Sequence, residues 1–78
     1  MFVLKSIDPL QEESLSSSII GEYRTFEEAI EPVKLLWSDP LVRANVYLIL
    51  NQQLQKVVAT IFAGQKDEMI ITGIIKSI

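Results

Sequence analysis

The length, composition and charge of this chain predict one small folded domain spanning residues 1–78. Its 78 residues are 49% hydrophobic and 22% charged, which is too short for two independent cores and too apolar for a disordered segment. A net charge of −3, scattered basic residues, and the lack of histidine and cysteine argue against nucleic-acid binding, disulfides and the commonest catalytic and metal sites. We therefore expect no cofactor and no nucleic-acid partner.

The first part of the chain is predicted to hold two strands separated by a loop. Phe2 to Ile7 is rich in β-forming residues and stops at the turn signal Asp8-Pro9. Ile19 to Tyr23 is interpreted as the second strand. The polar stretch from Leu10 to Ser18 is interpreted as a loop, with a short helix that begins at Asp8-Pro9 as the alternative.

A capping box predicts the start of the principal helix, which we expect over about residues 25–38. The Thr25 side chain would accept a hydrogen bond from the backbone N–H of Glu28, whose carboxylate would reach back. Pro32 predicts a kink near Glu28 rather than two helices, because proline removes one hydrogen bond of the helix. Ser38-Asp39-Pro40 ends the helix, and Asp39 is expected to cap one further turn through Arg43.

The second half of the chain gives one clear strand and two ambiguous segments. Val46 to Leu50 is apolar at successive positions, which is typical of an interior strand covered on both faces. Leu54 to Phe62 fits both a helical stripe and a β-branched strand, and we favour a strand because residues 51–53 can turn a hairpin. Met69 to Ile78 fits a strand or a helix, and its isoleucines predict a buried segment whose deletion would unfold or precipitate the protein.

These elements predict an α+β fold and an oligomer. The expected fold is a small, mainly antiparallel sheet with one principal helix on one face, ββαββ-like or truncated ferredoxin-like, ending in a strand or a helix. The mean hydropathy of +0.30 is high for so small a domain, so we expect apolar surface to be buried between subunits, most simply in a homodimer. The candidate interface residues are Leu35, Ile70, Ile71, Ile74, Ile75 and Ile78.

The residues that carry chemistry give little sign of an enzyme. Glu27, Glu28 and Glu31 fall on the solvent side of the predicted helix, where a charged surface is a simpler interpretation than a catalytic pair. The acidic residues lack the spacing of a calcium loop, and the glycines spell no phosphate-binding motif. Trp37 and Tyr47 are interpreted first as core aromatics, with a ligand-stacking role as the alternative.

One part of the chain resembles YCII-related proteins of the dimeric α/β-barrel group. The signals are a strand at residues 20–23, the helix start at Thr25, a tryptophan, and Asp39-Pro40 followed by Val42, Ala44 and Val46-Tyr47. The resemblance implies a ferredoxin-type unit whose sheet faces that of a second copy. It also implies a pocket around Trp37, Asp39 and Tyr47, although the family's histidine has no counterpart here.

Three functional hypotheses follow from these observations. The first is a non-enzymatic homo-oligomeric interaction or structural module, and the second is a degenerate YCII-like small-molecule-binding protein or enzyme in which Asp39 acts as an acid/base or orients a ligand. The third is an adaptor that lends a sheet edge or the Leu35 ridge to a larger protein. We expect a cytoplasmic address without membrane binding, because the opening apolar stretch is too short for a secretory signal and no apolar run approaches about 20 residues.

Overall fold

A sheet with helices on one face forms the part of the chain that the computed structural model describes, residues 1–7 and 18–73. This is the predicted α+β fold, consistent with a truncated ferredoxin-like arrangement. The predictions for residues 8–17 and for Ile74, Ile75 and Ile78 lie outside the described residues. In chain order the elements are β1 (Phe2–Ile7), β2 (Ser18–Tyr23), α1 (Phe26–Leu35), α2 (Pro40–Arg43), β3 (Val46–Asn51), β4 (Lys56–Ala63) and β5 (Met69–Thr72).

The sheet has the strand order β2-β1-β3-β4-β5, and every neighbouring pair is antiparallel. The apolar strand predicted at residues 46–50 is confirmed as β3 and lies in the middle of the sheet. Its residue Ile49 stands between Leu4 of β1 and Ala59 of β4. Strands that are apolar on both faces are usually covered on both faces. The central question is therefore what covers each face of β3.

The principal helix starts where the capping box predicts and ends earlier than expected. Thr25 has an extended backbone, and its hydroxyl oxygen accepts from the Glu28 N–H at 3.1 Å. α1 runs through Pro32 and ends at Leu35, because Leu36 already leaves helical geometry with φ −103° and ψ 8°. α2 then begins at Pro40 and is capped, as predicted, by Asp39, whose Oδ1 accepts from the Leu41 N–H at 2.9 Å.

The two helices are short. α1 has 10 residues and α2 has four. Within residues 1–7 and 18–73, none of the helices has the length and the apolar character that crossing a bilayer requires.

The segment that was ambiguous between helix and strand is a strand. β3 and β4 form a hairpin in which Asn51 Oδ1 accepts from the N–H groups of Gln53, at 3.0 Å, and Leu54, at 3.2 Å. Gln55 adopts a positive φ of 54° and brings the chain back into β4. The helical alternative for this segment is therefore wrong. In the C-terminal segment, Met69–Thr72 is β5 and pairs with the second half of β4.

The core lies between α1 and one face of the sheet. α1 contributes three buried residues, Ala29, Ile30 and Val33. The sheet side consists of alternate strand residues, because successive side chains of a strand point to opposite faces. The buried sheet residues in this core are Leu4, Tyr47, Ile49, Ala59 and Ile61.

Candidate functional site

The three residues of the predicted pocket lie near the corner where α1 ends, α2 crosses and β3 begins. Tyr47 is only 5% exposed, and its hydroxyl donates to the Val42 carbonyl at 2.9 Å. The Trp37 indole N–H donates to the Asp67 carbonyl at 2.7 Å, and so ties the end of α1 to the β4–β5 turn. The Asp39 carboxylate caps α2. Each polar group of the predicted pocket therefore has a structural hydrogen-bond partner.

Tyr47 lies in an environment that keeps its hydroxyl protonated. Burial raises the pKa of Tyr47 above its ordinary value of 10.0, the charge of Asp39 raises it further, and a side-chain hydrogen bond with Asn45 acts in the opposite direction. Of these three effects, that of the Asp39 charge is the smallest. The phenol O–H is already engaged, because it donates to the Val42 carbonyl.

A small cavity lies beneath α1 next to Tyr47. Its volume is about 70 Å³, and Leu4, Ile20 and Val33 are among the residues that line it, whereas Trp37 and Asp39 are not. Ligand pockets usually measure at least about 300 Å³, and one water occupies about 30 Å³. This cavity is therefore too small for a drug-sized ligand. The pocket around Asp39 stays a prediction.

A larger groove, of about 580 Å³, lies between β2 and α1. We call it the acidic groove, and it is lined by Tyr23, Glu27, Glu28, Glu31, Pro32 and Leu35. The Tyr23 ring lies back along β2 over Gly21, where an added Cβ would stand 2.8 Å from the tyrosine hydroxyl oxygen. Glycine at position 21 therefore leaves the space in which the Tyr23 ring forms a wall of the groove. Sequence reasoning identified Leu35 as a candidate interface residue but did not find this groove.

The sheet face away from α1, which we call the distal face, is mainly apolar, with Lys5 and Thr60 on either side of Leu48. Its side chains alternate with the core residues, and the strand pairing sets Val3 beside Leu50, Ile7 beside Val46 and Phe62 beside Ile70. Val3 is buried and the others are half-buried. Both described helices pack on the opposite face. The apolar residues of the distal face are Val3, Ile7, Val46, Leu48, Leu50, Phe62 and Ile70.

The described residues of the predicted interface are found in three different places. Leu35 is 71% exposed and lines the acidic groove. Ile70 lies on the distal face, whereas Ile71 is half-buried and packs against the core of its own chain. The two described isoleucines of the C-terminal segment, Ile70 and Ile71, therefore lie on opposite faces of the sheet, as β-strand alternation requires.

Neither metal ligands nor relatives identify a function. Among residues 1–7 and 18–73, no group of three acidic, histidine or cysteine side chains is placed to hold a metal ion. Comparisons with protein-family models, curated proteins and solved structures find no match. Two surfaces of the described residues, the distal face and the acidic groove, are therefore the candidate functional surfaces.

Proposed function

We propose that this chain is a non-enzymatic module that forms a homodimer by packing its distal face against that of a second copy. The observation that supports this proposal is the apolar surface on the side of the sheet away from α1. In this proposal the module works in the cytoplasm, an address with which a chain without cysteine agrees. The resemblance to dimeric α/β-barrel proteins favours the same arrangement of two facing sheets.

The dimensions of the sheet limit a dimer of this kind. Five strands about 4.8 Å apart and about 20 Å long give a face of roughly 400 to 500 Å² in plan. Stable interfaces remove about 800 Å² of accessible surface from each partner, so this face supplies about half of a standard interface, the size of a weak or transient contact. Lys5 is half-buried on the same face, beside Leu48. Its aliphatic stem is compatible with an apolar contact.

Sedimentation velocity over a range of micromolar concentrations tests the proposed dimer. We expect the wild-type chain to sediment at twice its 8.8 kDa mass. The variant Leu48→Asp is expected to be monomeric because it sets a carboxylate in the middle of the distal face. Leu41→Asp is the matched control, since Leu41 is 78% exposed and lies on α2. A wild-type chain that stays monomeric throughout would refute the proposal.

A second proposed function, a small-molecule site of the YCII type, is the alternative that the partial resemblance implies, with Asp39 as its candidate carboxylate. Its test is a thermal-shift screen that compares the wild type with Asp39→Asn. Asparagine caps helices about as well as aspartate, so this variant removes the charge and keeps α2. The hypothesis requires a compound whose stabilising effect depends on Asp39. It fails if no compound stabilises the wild type or if every shift is equal in the variant.

A further inference from the structure

A lysine and a threonine flank the centre of the distal face. Leu48 lies in the middle strand of the sheet, with Lys5 of β1 on one side and Thr60 of β4 on the other. All three side chains are half-buried. The neighbouring rows of β1 and β3 are apolar, with Val3 beside Leu50 in one of them. A second copy that covers this face therefore has to place one of its own residues over Lys5.

The small area of the distal face restricts how two copies can pack. Because the face supplies about half of a standard interface, two copies have to overlap nearly all of it. Full overlap requires a two-fold axis between the sheets that passes through the centre of the face, next to Leu48. Packed sheets align their strands within about 30° or cross them at about 90°. The axis therefore runs along the strands, across them or diagonally.

Two of these three axes give Lys5 an unfavourable neighbour. An axis across the strands lays each strand over its own copy, so Lys5 lies over Lys5 of the partner subunit. Like charges that face each other in an interface repel strongly, because little water screens them. A diagonal axis crosses the strands at about 90° and lays Lys5 over the apolar residues of the partner's β3, where its ammonium group has no side-chain acceptor.

An axis along β3 gives Lys5 a hydrogen-bond acceptor. Lys5 and Thr60 lie in one row, each one strand spacing of about 4.8 Å from Leu48, so this axis exchanges their positions. The lysine ammonium group has three N–H donors, and the threonine hydroxyl accepts hydrogen bonds. Ile7 and Phe62, each two residues further along β1 and β4, come together in the same way. Polar and apolar rows are therefore both matched.

We infer that the two-fold axis of the homodimer runs along β3, and that Lys5 of each copy donates a hydrogen bond to the hydroxyl of Thr60 of the partner subunit. This inference rests on the proposed homodimer and specifies which arrangement of the two sheets it adopts. The Lys5–Thr60 contact occurs twice in such a dimer. Lys5 also excludes the arrangement turned across the strands, because two lysines would then face each other.

Thiol cross-linking of the full chain tests the direction of the axis. The chain has no cysteine, so a short bis-maleimide links only a thiol that is introduced, as in Gln53→Cys in the exposed β3–β4 turn. An axis along β3 brings both copies of this turn to one end of the dimer, whereas an axis across the strands sets them at least a strand length of about 20 Å apart. We expect Gln53→Cys to give covalent dimers. Lys66→Cys is the control, because its copies in the exposed β4–β5 turn stay about three strand spacings, roughly 14 Å, apart.

Sedimentation of Lys5→Thr tests the contact itself. The variant should dimerise about four- to 25-fold more weakly than the wild type, since each of the two lost hydrogen bonds is worth about two- to fivefold in affinity. Lys56→Thr is the matched control, because Lys56 is exposed and pairs with Asn51 on the other face of the sheet. A wild-type dimer whose Gln53→Cys variant does not cross-link, or a Lys5→Thr dimer as tight as the wild type or tighter, overturns this inference and leaves the homodimer standing. A wild-type chain that is monomeric throughout overturns both.

Discussion

Shortening Ile49 by one methyl group tests whether the core lies between α1 and the sheet. Ile49 is fully buried in the central strand β3, between Leu4 and Ala59. The variant Ile49→Val keeps a β-branched side chain, so its main effect is the loss of buried carbon and the small cavity that remains. Ile19→Val is the matched control, because it deletes the same group from a side chain that is 65% exposed.

The expected magnitudes separate the two variants clearly. Ile→Val at a fully buried site lowers the free energy of unfolding by about 0.5 to 1.5 kcal/mol. For a domain of this size a loss of about 1 kcal/mol lowers Tm by about 4 to 8 °C. Ile19→Val should change the free energy of unfolding by less than about 0.5 kcal/mol, since little of its side chain is buried in the chain. The total stability expected of 78 residues, roughly 4 to 12 kcal/mol, leaves both variants folded.

Urea unfolding followed by far-UV circular dichroism measures both differences. The experiment is run at two protein concentrations, because dimerisation makes the apparent stability depend on concentration. Equal losses for Ile49→Val and Ile19→Val at the lower concentration would refute the assignment of the core. A larger loss for Ile19→Val would mean that β2 is buried more deeply than its exposure indicates.

Four further predictions concern the caps, the buried phenol and the end of the described chain. Thr25→Ala should lower the free energy of unfolding by about 1 kcal/mol through loss of the helix cap, while Thr25→Ser should keep most of it in the same urea assay. Tyr47→Phe should cost about 1 kcal/mol at neutral pH through the lost hydrogen bond. Because the pKa of Tyr47 is raised in the folded state, the stabilisation by Tyr47 is fully present below the unfolded pKa of 10.0 and is lost as pH rises through the folded pKa. The difference in the free energy of unfolding between wild type and Tyr47→Phe should therefore shrink above pH 10.0. A difference that stays constant would contradict this prediction. Gly73→Ala should destabilise by roughly 1 to 2 kcal/mol in a thermal melt, because Gly73 has a φ of 81°, and an unchanged Tm would exclude that backbone strain. Deleting residues 69–78 removes β5 and should unfold or precipitate the chain, so a soluble product with a cooperative melt would contradict the prediction.

Local signals in the sequence predicted most of the fold. The capping box at Thr25, the cap at Asp39 and the apolar run of β3 each involve interactions between residues near one another in the chain, and each is found as predicted. The β4 segment was ambiguous because Val57, Val58 and Ile61 satisfy both periodicities. Its resolution as a strand reflects the hairpin turn that Asn51 stabilises.

The acidic groove was beyond sequence reasoning for a physical reason. The positions of Glu27, Glu31 and Leu35 along one helix follow from the sequence, but they indicate only an exposed helix surface. The groove exists because Tyr23 forms its second wall. The position of that wall depends on β2, at the edge of the described sheet, lying next to α1 in the folded chain. The early end of α1 was missed for a similar reason, since Trp37 is held by the Asp67 carbonyl, 30 residues away.

The strand order has a consequence for folding during synthesis on the ribosome. β1 pairs with β2 on one side and with β3 on the other, and about 28 residues separate the end of β2 from the end of β3. At translation rates of about 5 to 20 residues per second, the β1–β2 pair waits roughly 1 to 6 seconds for its second neighbour. An isolated pair of strands is only marginally stable in water. The nascent chain therefore carries the exposed isoleucines of β2 before the rest of the sheet can support them, and this interval is when binding by a chaperone would have the greatest effect on the yield of folded protein.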